Sequence, residues 1–291
     1  MQKKSRRAMV IAAAITAVMI VITVLDMLII FSITSQQTRL SGLYKLKSIS
    51  GELESTINDA ERLTVELALE AYPLVDDKGS LKFFIYEKKE ALHEEMGSII
   101  NVYVAGTGWD ILPGLTNRVG FDPLKRNWYV GAAKNPGKTY ISQPYVDAVT
   151  GNICFTVSVM LPDEDTVLAV DYTMDEIQAH ISALYNEGVK NAVIVTSDGI
   201  IAGCTDEAMI GKRLVDVHPE YEGIFALTKK SKEVQTARIR SGVFRDNLFA
   251  TQSGSGWFLI ESESDRELYR QSYLQLVLIF IMTLIFFGVI F

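Results

Sequence analysis

Histidine and cysteine are scarce in this chain of 291 residues, which has three histidines and two cysteines. His93, His180 and His218 lie far apart, and none of them stands in an H-E-x-x-H or comparable metal-binding pattern. Enzyme motifs built on glycine are missing as well. There is no G-x-S-x-G nucleophile elbow, and residues 106–108 (G-T-G) lack the third glycine of a dinucleotide-binding loop. The sequence therefore predicts no catalytic site, no metal site and no cofactor.

A basic surface is also missing, because 35 acidic residues outnumber 28 lysines and arginines and the net charge is −7. An acidic chain does not attract the phosphate backbone of nucleic acid, which argues against DNA or RNA as a partner. Cys154 and Cys204 fall in different predicted modules, and the prediction is two buried free thiols. A disulfide between them in an oxidising compartment is the alternative.

Two long apolar runs frame the chain. Residues 8–33 are almost unbroken apolar sequence, long enough to cross a hydrocarbon core of about 30 Å as a helix. Basic residues at positions 3, 4, 6 and 7 place the tail 1–7 in the cytoplasm. A cleaved signal peptide is the alternative, but its apolar core would be shorter, about 7–15 residues, and would end at a small-residue cleavage site. Asp26 lies near the outer end of the run and is predicted to contact water at the membrane surface. The alternative is a role in signalling or in a dimer contact.

The second apolar run, residues 273–291, also has the length of a span and follows basic and aromatic residues between 266 and 273. No basic cytoplasmic flank comes after it, so either the sequence is cut there or the protein lacks its own output module. The two runs predict a two-pass protein of the cell membrane, with residues 34–272 outside the cytoplasm.

One long helix is predicted directly after the first run, because apolar and small residues recur there in steps of four and three. The positions are Leu46, Ser50, Leu53, Ile57, Ala60, Thr64 and Leu67. Such a seam fits either a helix that packs on its own sheet or a helix that pairs with a second copy. A homodimer through this helix is the expected protein partner.

Strand patterns separated by Gly, Pro and Asn turns follow the helix. The predicted strands of the first module are residues 99–105, 139–142, 153–160 and 167–171. Those of the second module are residues 192–196, 200–202, 234–239, 247–251 and 257–261, with Asp198-Gly199 as a hairpin turn.

These patterns predict an α+β fold with two tandem antiparallel-sheet modules. Residues 34–173 form the long helix and the membrane-distal module. Residues 174–272 form a linking helix and the membrane-proximal module. The similar strand order indicates an internal duplication.

A guanidinium, several aromatic rings and a carboxylate fall within residues 121–171 of the first module. They are Phe121, Arg126, Trp128, Tyr129, Tyr145 and Asp171. Arginine binds carboxylates through two hydrogen bonds, and a carboxylate flanked by aromatic faces suits a primary ammonium. The set predicts a site for a small molecule that carries both charges. The alternatives are aromatic residues that fill a core and an Arg126 that pairs with Asp122 or Asp147.

The same residues carry a resemblance. The motifs F-D-P…R-x-W-Y at 121–129, P-Y-V-D at 144–147, V-D at 170–171 and S-D-G-I-I…I-G-K at 197–212 resemble the double Cache extracytoplasmic sensor domain of bacterial receptors. The resemblance covers about residues 35–270. It implies two PAS-like modules and a ligand-sensing role in a chemoreceptor, a sensor kinase or a diguanylate cyclase.

For the site, the resemblance implies that Arg126 and Trp128 hold a ligand carboxylate, while Tyr129, Tyr145 and Asp171 hold an amino group. Phe121 stands where the complete amino-acid pattern has a tyrosine. An amino acid is therefore the expected ligand, and an amine, a small carboxylate or a modified amino acid stays open. A membrane-anchored module that senses a partner protein is the alternative from another class of function.

Overall fold

The computed structural model describes residues 2–116, 119–147, 149–186, 191–241 and 244–264, together with six residues between 274 and 282. It has the predicted α+β architecture, in which a long N-terminal helix lies against two antiparallel sheets. The helices of the described part are α1 (Gln2–Ala71), α2 (Lys78–Met96), α3 (Asn127–Ala133), α4 (Asp175–Asn186), α5 (Leu214–Val217) and α6 (Glu222–Thr228).

The sheet of the first module contains all four predicted strands and two short additional ones. Its strands are β1 (Ile99–Gly106), β2 (Trp109–Ile111), β3 (Thr139–Ile141), β4 (Tyr145–Val146), β5 (Ile153–Met160) and β6 (Val167–Thr173). They are antiparallel in the order β2-β1-β6-β5-β3, and β4 also pairs with β5. Residues directly opposite each other in such a sheet point to the same face. Asp171 on β6 lies opposite Asn101 on β1 and Thr156 on β5, so these three side chains form one polar row.

The sheet of the second module repeats this strand order. Its strands are β7 (Asn191–Val195), β8 (Ile201–Cys204), β9 (Gln235–Ser241), β10 (Phe244–Gln252) and β11 (Phe258–Ser264). The order is β8-β7-β11-β10-β9, so in both sheets the first strand lies between the second and the last. Gly199 has a φ of +82° in the turn between β7 and β8, as the Asp-Gly signal predicted.

The predicted seam of α1 packs on the chain's own sheets. Leu46, Leu53, Ile57 and Leu67 are each at most 3% exposed, and they belong to one apolar core with residues of β1, β5, β6 and β11. A dimer through these seam residues was therefore the wrong alternative, because the two sheets already cover them. The apolar residues that α1 does expose include Tyr44 and Leu69, on other faces.

Tyr172 fixes α1 to the sheet of the first module. Its hydroxyl donates to the carbonyl oxygen of Ala60 at 2.9 Å and lies 3.2 Å from the Thr64 hydroxyl. Thr64 is fully buried, and its own hydroxyl donates to the same carbonyl at 2.8 Å. Because successive residues of a strand point to opposite faces, Tyr172 faces α1 while Asp171 faces away from it.

No helix within the described residues combines the length and the apolar character that a membrane span needs. The predicted span 8–33 coincides with the first half of α1, and most of the predicted span 273–291 lies outside the described residues. Both spans stay predictions.

Candidate ligand-binding site

Asp171 is the centre of a buried hydrogen-bond network on the α3 side of the first sheet. The side chain is 3% exposed, and its Oδ1 accepts from the hydroxyls of Tyr103 and Thr156, each at 2.7 Å. The Tyr145 hydroxyl lies 3.1 Å from the same oxygen and 2.7 Å from the Thr156 hydroxyl. The three hydroxyl contacts to the Asp171 carboxylate all go to Oδ1, and none of them goes to Oδ2.

Burial raises the pKa of Asp171 to about 6, with a further contribution from the charge of Asp147, while the hydrogen bonds from Thr156 and Tyr103 oppose the rise. The carboxyl group is therefore mostly ionised at neutral pH. Burial and the Asp171 charge also raise the pKa values of Tyr103 and Tyr145, so both phenols keep their protons. Each hydroxyl has a single proton, and the protons are used within the network. The phenol oxygens therefore keep only acceptor capacity for another molecule.

A short capped loop presents Arg126. Asp122 accepts from the Leu124 backbone N–H at 3.1 Å and starts the 3₁₀ turn Pro123–Lys125, which leads into α3. The Arg126 guanidinium carbon lies 5.3 Å from the Phe121 ring centre and 5.9 Å from that of Tyr145. These ring contacts hold the guanidinium plane and leave its N–H edges for a ligand.

Neither suggested acidic partner of Arg126 is engaged with it. Asp122 forms an ion pair with Lys125 at 3.0 Å. Asp147 accepts from the backbone N–H groups of residues 149 and 150 and so caps its own turn. In the described part of the chain, Arg126 has no carboxylate within ion-pair distance.

Trp128 lies in the first turn of α3 and forms a wall of the site. It is 3% exposed, and its indole packs edge-on against the Tyr103 ring at 5.0 Å between centres. Its backbone carbonyl accepts from the Ser158 hydroxyl at 2.8 Å, which ties α3 to β5. Trp128 lines a cavity together with Arg126 and Tyr145.

The site has an inner cavity and an outer groove that share Arg126, Trp128 and Tyr145. The inner cavity measures about 30 Å³, and the groove about 350 Å³. The inner cavity is lined by Asn101, Tyr103, Leu112, Leu115, Phe121, Arg126, Trp128, Tyr145, Asp147, Val149 and Asp171. A cavity of this size accommodates a water-sized group, such as an ammonium, and is too small for a whole amino acid. The groove has room for the rest of a small molecule.

Five of the six residues proposed from sequence line the inner cavity, and Tyr129 does not. The Tyr129 ring packs edge-on against Trp128 at 5.8 Å between centres, and its hydroxyl donates to the Asp165 carbonyl oxygen at 2.8 Å. Tyr129 therefore packs on Trp128 and lines neither the inner cavity nor the outer groove. The sequence reasoning missed Asn101 and Tyr103. Both lie in the predicted strand 99–105 at alternate positions, and pairing that strand with 167–171 would have placed them beside Asp171.

The remaining sequence expectations concern sulfur and metals. Cys154 and Cys204 are both buried and free, as predicted. Burial raises the pKa of the Cys204 thiol to about 11, so it stays protonated. Among the described residues there is no group of three or more His, Cys, Asp or Glu side chains arranged to hold a metal ion.

Comparison with known proteins supports the resemblance. No family model matches the chain. The methyl-accepting chemotaxis protein TlpB of Bacillus subtilis is 28% identical over 223 residues, which cover 71% of this chain and 31% of TlpB. The match thus spans less than a third of that relative's length.

Two solved structures share the fold. The ligand-binding domain of Mlp24 with asparagine superposes with a TM-score of 0.64 at 16% identity, over 83% of this chain and 98% of that domain. The ligand-binding domain of Campylobacter jejuni chemoreceptor Tlp3, in complex with 4-methylisoleucine, gives 0.62 at 15% identity, over 81% and 94%. The fold is therefore that of chemoreceptor ligand-binding domains.

Proposed function

We propose that this chain is the extracytoplasmic sensing part of a bacterial chemotaxis receptor and that its first module binds a free amino acid. In this proposal, residues 8–33 and 273–291 are the membrane spans, and residues 34–272 lie outside the cytoplasm. The relatives are methyl-accepting chemotaxis proteins, and the two solved structures that share the fold contain asparagine and 4-methylisoleucine.

The separation of charge across the site carries the proposal. The Asp171 end presents acceptors only, namely the free Oδ2 and the phenol oxygens of Tyr103 and Tyr145. The Arg126 guanidinium lines the same cavity between the Phe121 and Tyr145 rings and supplies the donors. An α-amino acid matches this pattern, with its ammonium in the inner cavity and its carboxylate toward Arg126. Tyr129 supports Trp128 from behind and does not contact the ligand.

A thermal-shift screen of the full chain in detergent micelles tests the proposal, with the twenty standard L-amino acids as probes. A ligand at 100 times its Kd stabilises the folded state by about 2.7 kcal/mol, which corresponds to a rise in Tm of roughly 5–10 °C. Arg126→Ala is expected to abolish the rise. Lys134→Ala is the matched control, because Lys134 is exposed at the C-terminal end of α3 and lines neither the inner cavity nor the outer groove. If no amino acid shifts the Tm of a folded sample, the proposal is wrong, and a sensor of a partner protein becomes the better interpretation.

A homodimer along α1 is proposed on a different face from the predicted seam. Leu69 is 69% exposed and Val65 is 38% exposed, four residues apart on the same face of the helix. Leu69→Glu is expected to shift the full chain from dimer to monomer in light scattering. A dimer that withstands this change would place the contact elsewhere.

A further inference from the structure

Asn101 lines the inner cavity, and its side-chain oxygen is buried without a hydrogen-bond partner among the described residues. The residue is 4% exposed, and its Nδ2 donates to the Pro113 carbonyl oxygen at 2.9 Å. A carbonyl oxygen can only accept, so this bond fixes which end of the amide is the NH₂ group. The other end, Oδ1, is buried and has no partner among the described residues. A buried acceptor that lacks a donor lowers stability unless something else supplies the donor.

We propose that Asn101 Oδ1 and Asp171 Oδ2 together bind two N–H groups of a primary ammonium. Asn101 would thereby set the selectivity of the site for primary amines. The inference rests on the proposed function and narrows its ligand class. Asn101 and Asp171 are directly opposite each other on β1 and β6, where Cβ atoms lie about 4.5–5.5 Å apart. In the proposed complex, one ammonium nitrogen lies between the two side chains and donates one N–H to each oxygen.

Among the possible ligand groups, a primary ammonium best matches the acceptors of Asn101 and Asp171. Asp171 Oδ1 already receives the Tyr103 and Thr156 protons, so Oδ2 is the oxygen left for a ligand. A plain carboxylate has no proton to offer at neutral pH, and these acceptors would repel it. An N,N-dimethyl ammonium offers a single N–H and leaves one of the two oxygens without a donor. A secondary amine such as proline offers two N–H groups but brings ring carbons toward the polar row.

Calorimetric titration of the full chain in detergent micelles tests the inference with a matched pair of ligands. The first is whichever standard amino acid raises the Tm most, and the second is its N,N-dimethyl derivative. The wild type should bind the dimethyl form about 10- to 100-fold more weakly, which is the penalty for one buried unpaired acceptor. Asn101→Leu, similar in size, should weaken binding of the primary amino acid by about 10-fold or more. It should change binding of the dimethyl form by less than about threefold.

Leu112→Ala is the control, because Leu112 lines the same cavity without a polar group and should weaken both ligands equally. An Asn101→Leu variant that also weakens both ligands equally would show that Asn101 only supports the fold, and the inference would be wrong. Should that variant fail to fold, equal affinity of the wild type for both forms still overturns the inference. If the wild type binds amino acids without this discrimination, only the inference is lost. If it binds none of the twenty, the proposed function is lost with it.

Discussion

The two modules share one strand order but differ in the side chains that lie between the sheet and the short helices packed on it. These helices are α3 in the first module and α5 and α6 in the second. Beneath α3, the first module places a buried carboxylate, two phenols and an amide around a cavity. Beneath α5 and α6, the second module places an apolar core built from Tyr221, Phe225, Phe258 and neighbouring aliphatic residues. Two buried acids of the second module, Glu261 and Glu263, lie on the opposite face of the sheet. Glu261 and Glu263 on β11 alternate with the core residue Ile260, and Glu263 forms an ion pair with Lys45 of α1 at 3.0 Å.

The shared topology therefore does not by itself make a binding site. A carboxylate beside hydroxyl donors and a cavity can serve a ligand, whereas Glu261 is fully buried with both oxygens unpartnered in the described part of the chain. Burial raises the pKa of Glu261 to about 8, and the charge of Glu263 adds to the rise. Glu261 is therefore largely protonated at neutral pH, while Asp171 is largely ionised.

The largest difference between the two modules is expected when Asp171 and Glu261 are neutralised one at a time. Asp171→Asn should weaken amino-acid binding by about 100-fold or more, because the ligand ammonium loses its counter-charge. Glu261→Gln should leave the Kd unchanged within about twofold and raise the Tm above pH 8, because the wild type must bury an anion there. Calorimetry and thermal melts measure the two effects. A Glu261→Gln variant that loses ligand binding would refute the division of roles.

pH should act on the two acids in different ways. Ligand binding needs the ionised form of Asp171, so the Kd is expected to rise as pH falls below about 6, approaching tenfold per pH unit. Calorimetric titrations between pH 5 and 8 measure this change. A Kd that stays flat across this range would exclude Asp171 as the ammonium partner.

Through Glu261, pH is expected to change the stability of the folded state. An acid whose folded pKa is raised binds its proton more tightly in the folded state, so its contribution is fully present below the unfolded value of 4.5. That contribution is lost as pH rises to about 8. Thermal melts should show this decline in the wild type and a flatter profile in Glu261→Gln. Equal slopes for the two proteins would contradict the assignment.

A smaller effect is expected from two matched Gly→Ala substitutions, each of which places a methyl group against an aromatic ring. A Cβ on Gly131 of α3 would lie 2.4 Å from the Tyr140 ring, and one on Gly42 of α1 would lie 2.3 Å from the Phe249 ring. Each Gly→Ala change should destabilise the fold by about 1–3 kcal/mol, because a ring must move. Only Gly131→Ala should also weaken ligand binding, since α3 positions Trp128. Urea unfolding and calorimetry on both variants compare the modules, and an equal loss of affinity in Gly42→Ala would argue against a site confined to the first.

The smallest expected effect is a gain. Phe121→Tyr adds a hydroxyl to the cavity wall and should tighten amino-acid binding by about 0.5–1.5 kcal/mol, or roughly 2- to 10-fold. The gain should be measurable by calorimetry on the ligand found in the screen. A loss of affinity would mean that the added oxygen is left unpaired or collides with the ligand.

Local signals explain what the sequence could predict. Strand runs such as 99–105 and 167–171 and the Asp198-Gly199 turn are encoded by neighbouring residues, and all of them form. The helix α2 was not predicted. Its start depends on Asp77, whose side chain accepts from the backbone N–H groups of residues 79 and 80, and its only fully buried residues are Leu81 and Ile85. A single four-residue step gives too little periodicity to indicate a helix.

The site was predictable as a set of residue types and not as a geometry. The roles of Arg126 and Trp128 came from the resemblance and from the chemistry of arginine, whereas only strand pairing reveals that Asn101 and Tyr103 face Asp171. Tyr129 was assigned to the ligand amino group from the resemblance, by its position in the motif. In the helix α3, adjacent residues point in different directions, and the structure turns Tyr129 toward Asp165.

The placement of Asp171 and Tyr172 on opposite faces of β6 has a consequence for how such proteins diversify. Substitutions at Phe121 or Asn101 alter the surroundings of Asp171 without touching Tyr172, whose hydroxyl is bonded to Ala60 of the long helix. Ligand preference is thus free to drift under selection while the attachment of α1 is kept. An insertion or deletion of one residue in β6 would exchange both faces at once. Natural variation should therefore be rich in point substitutions around the cavity and poor in length changes within this strand.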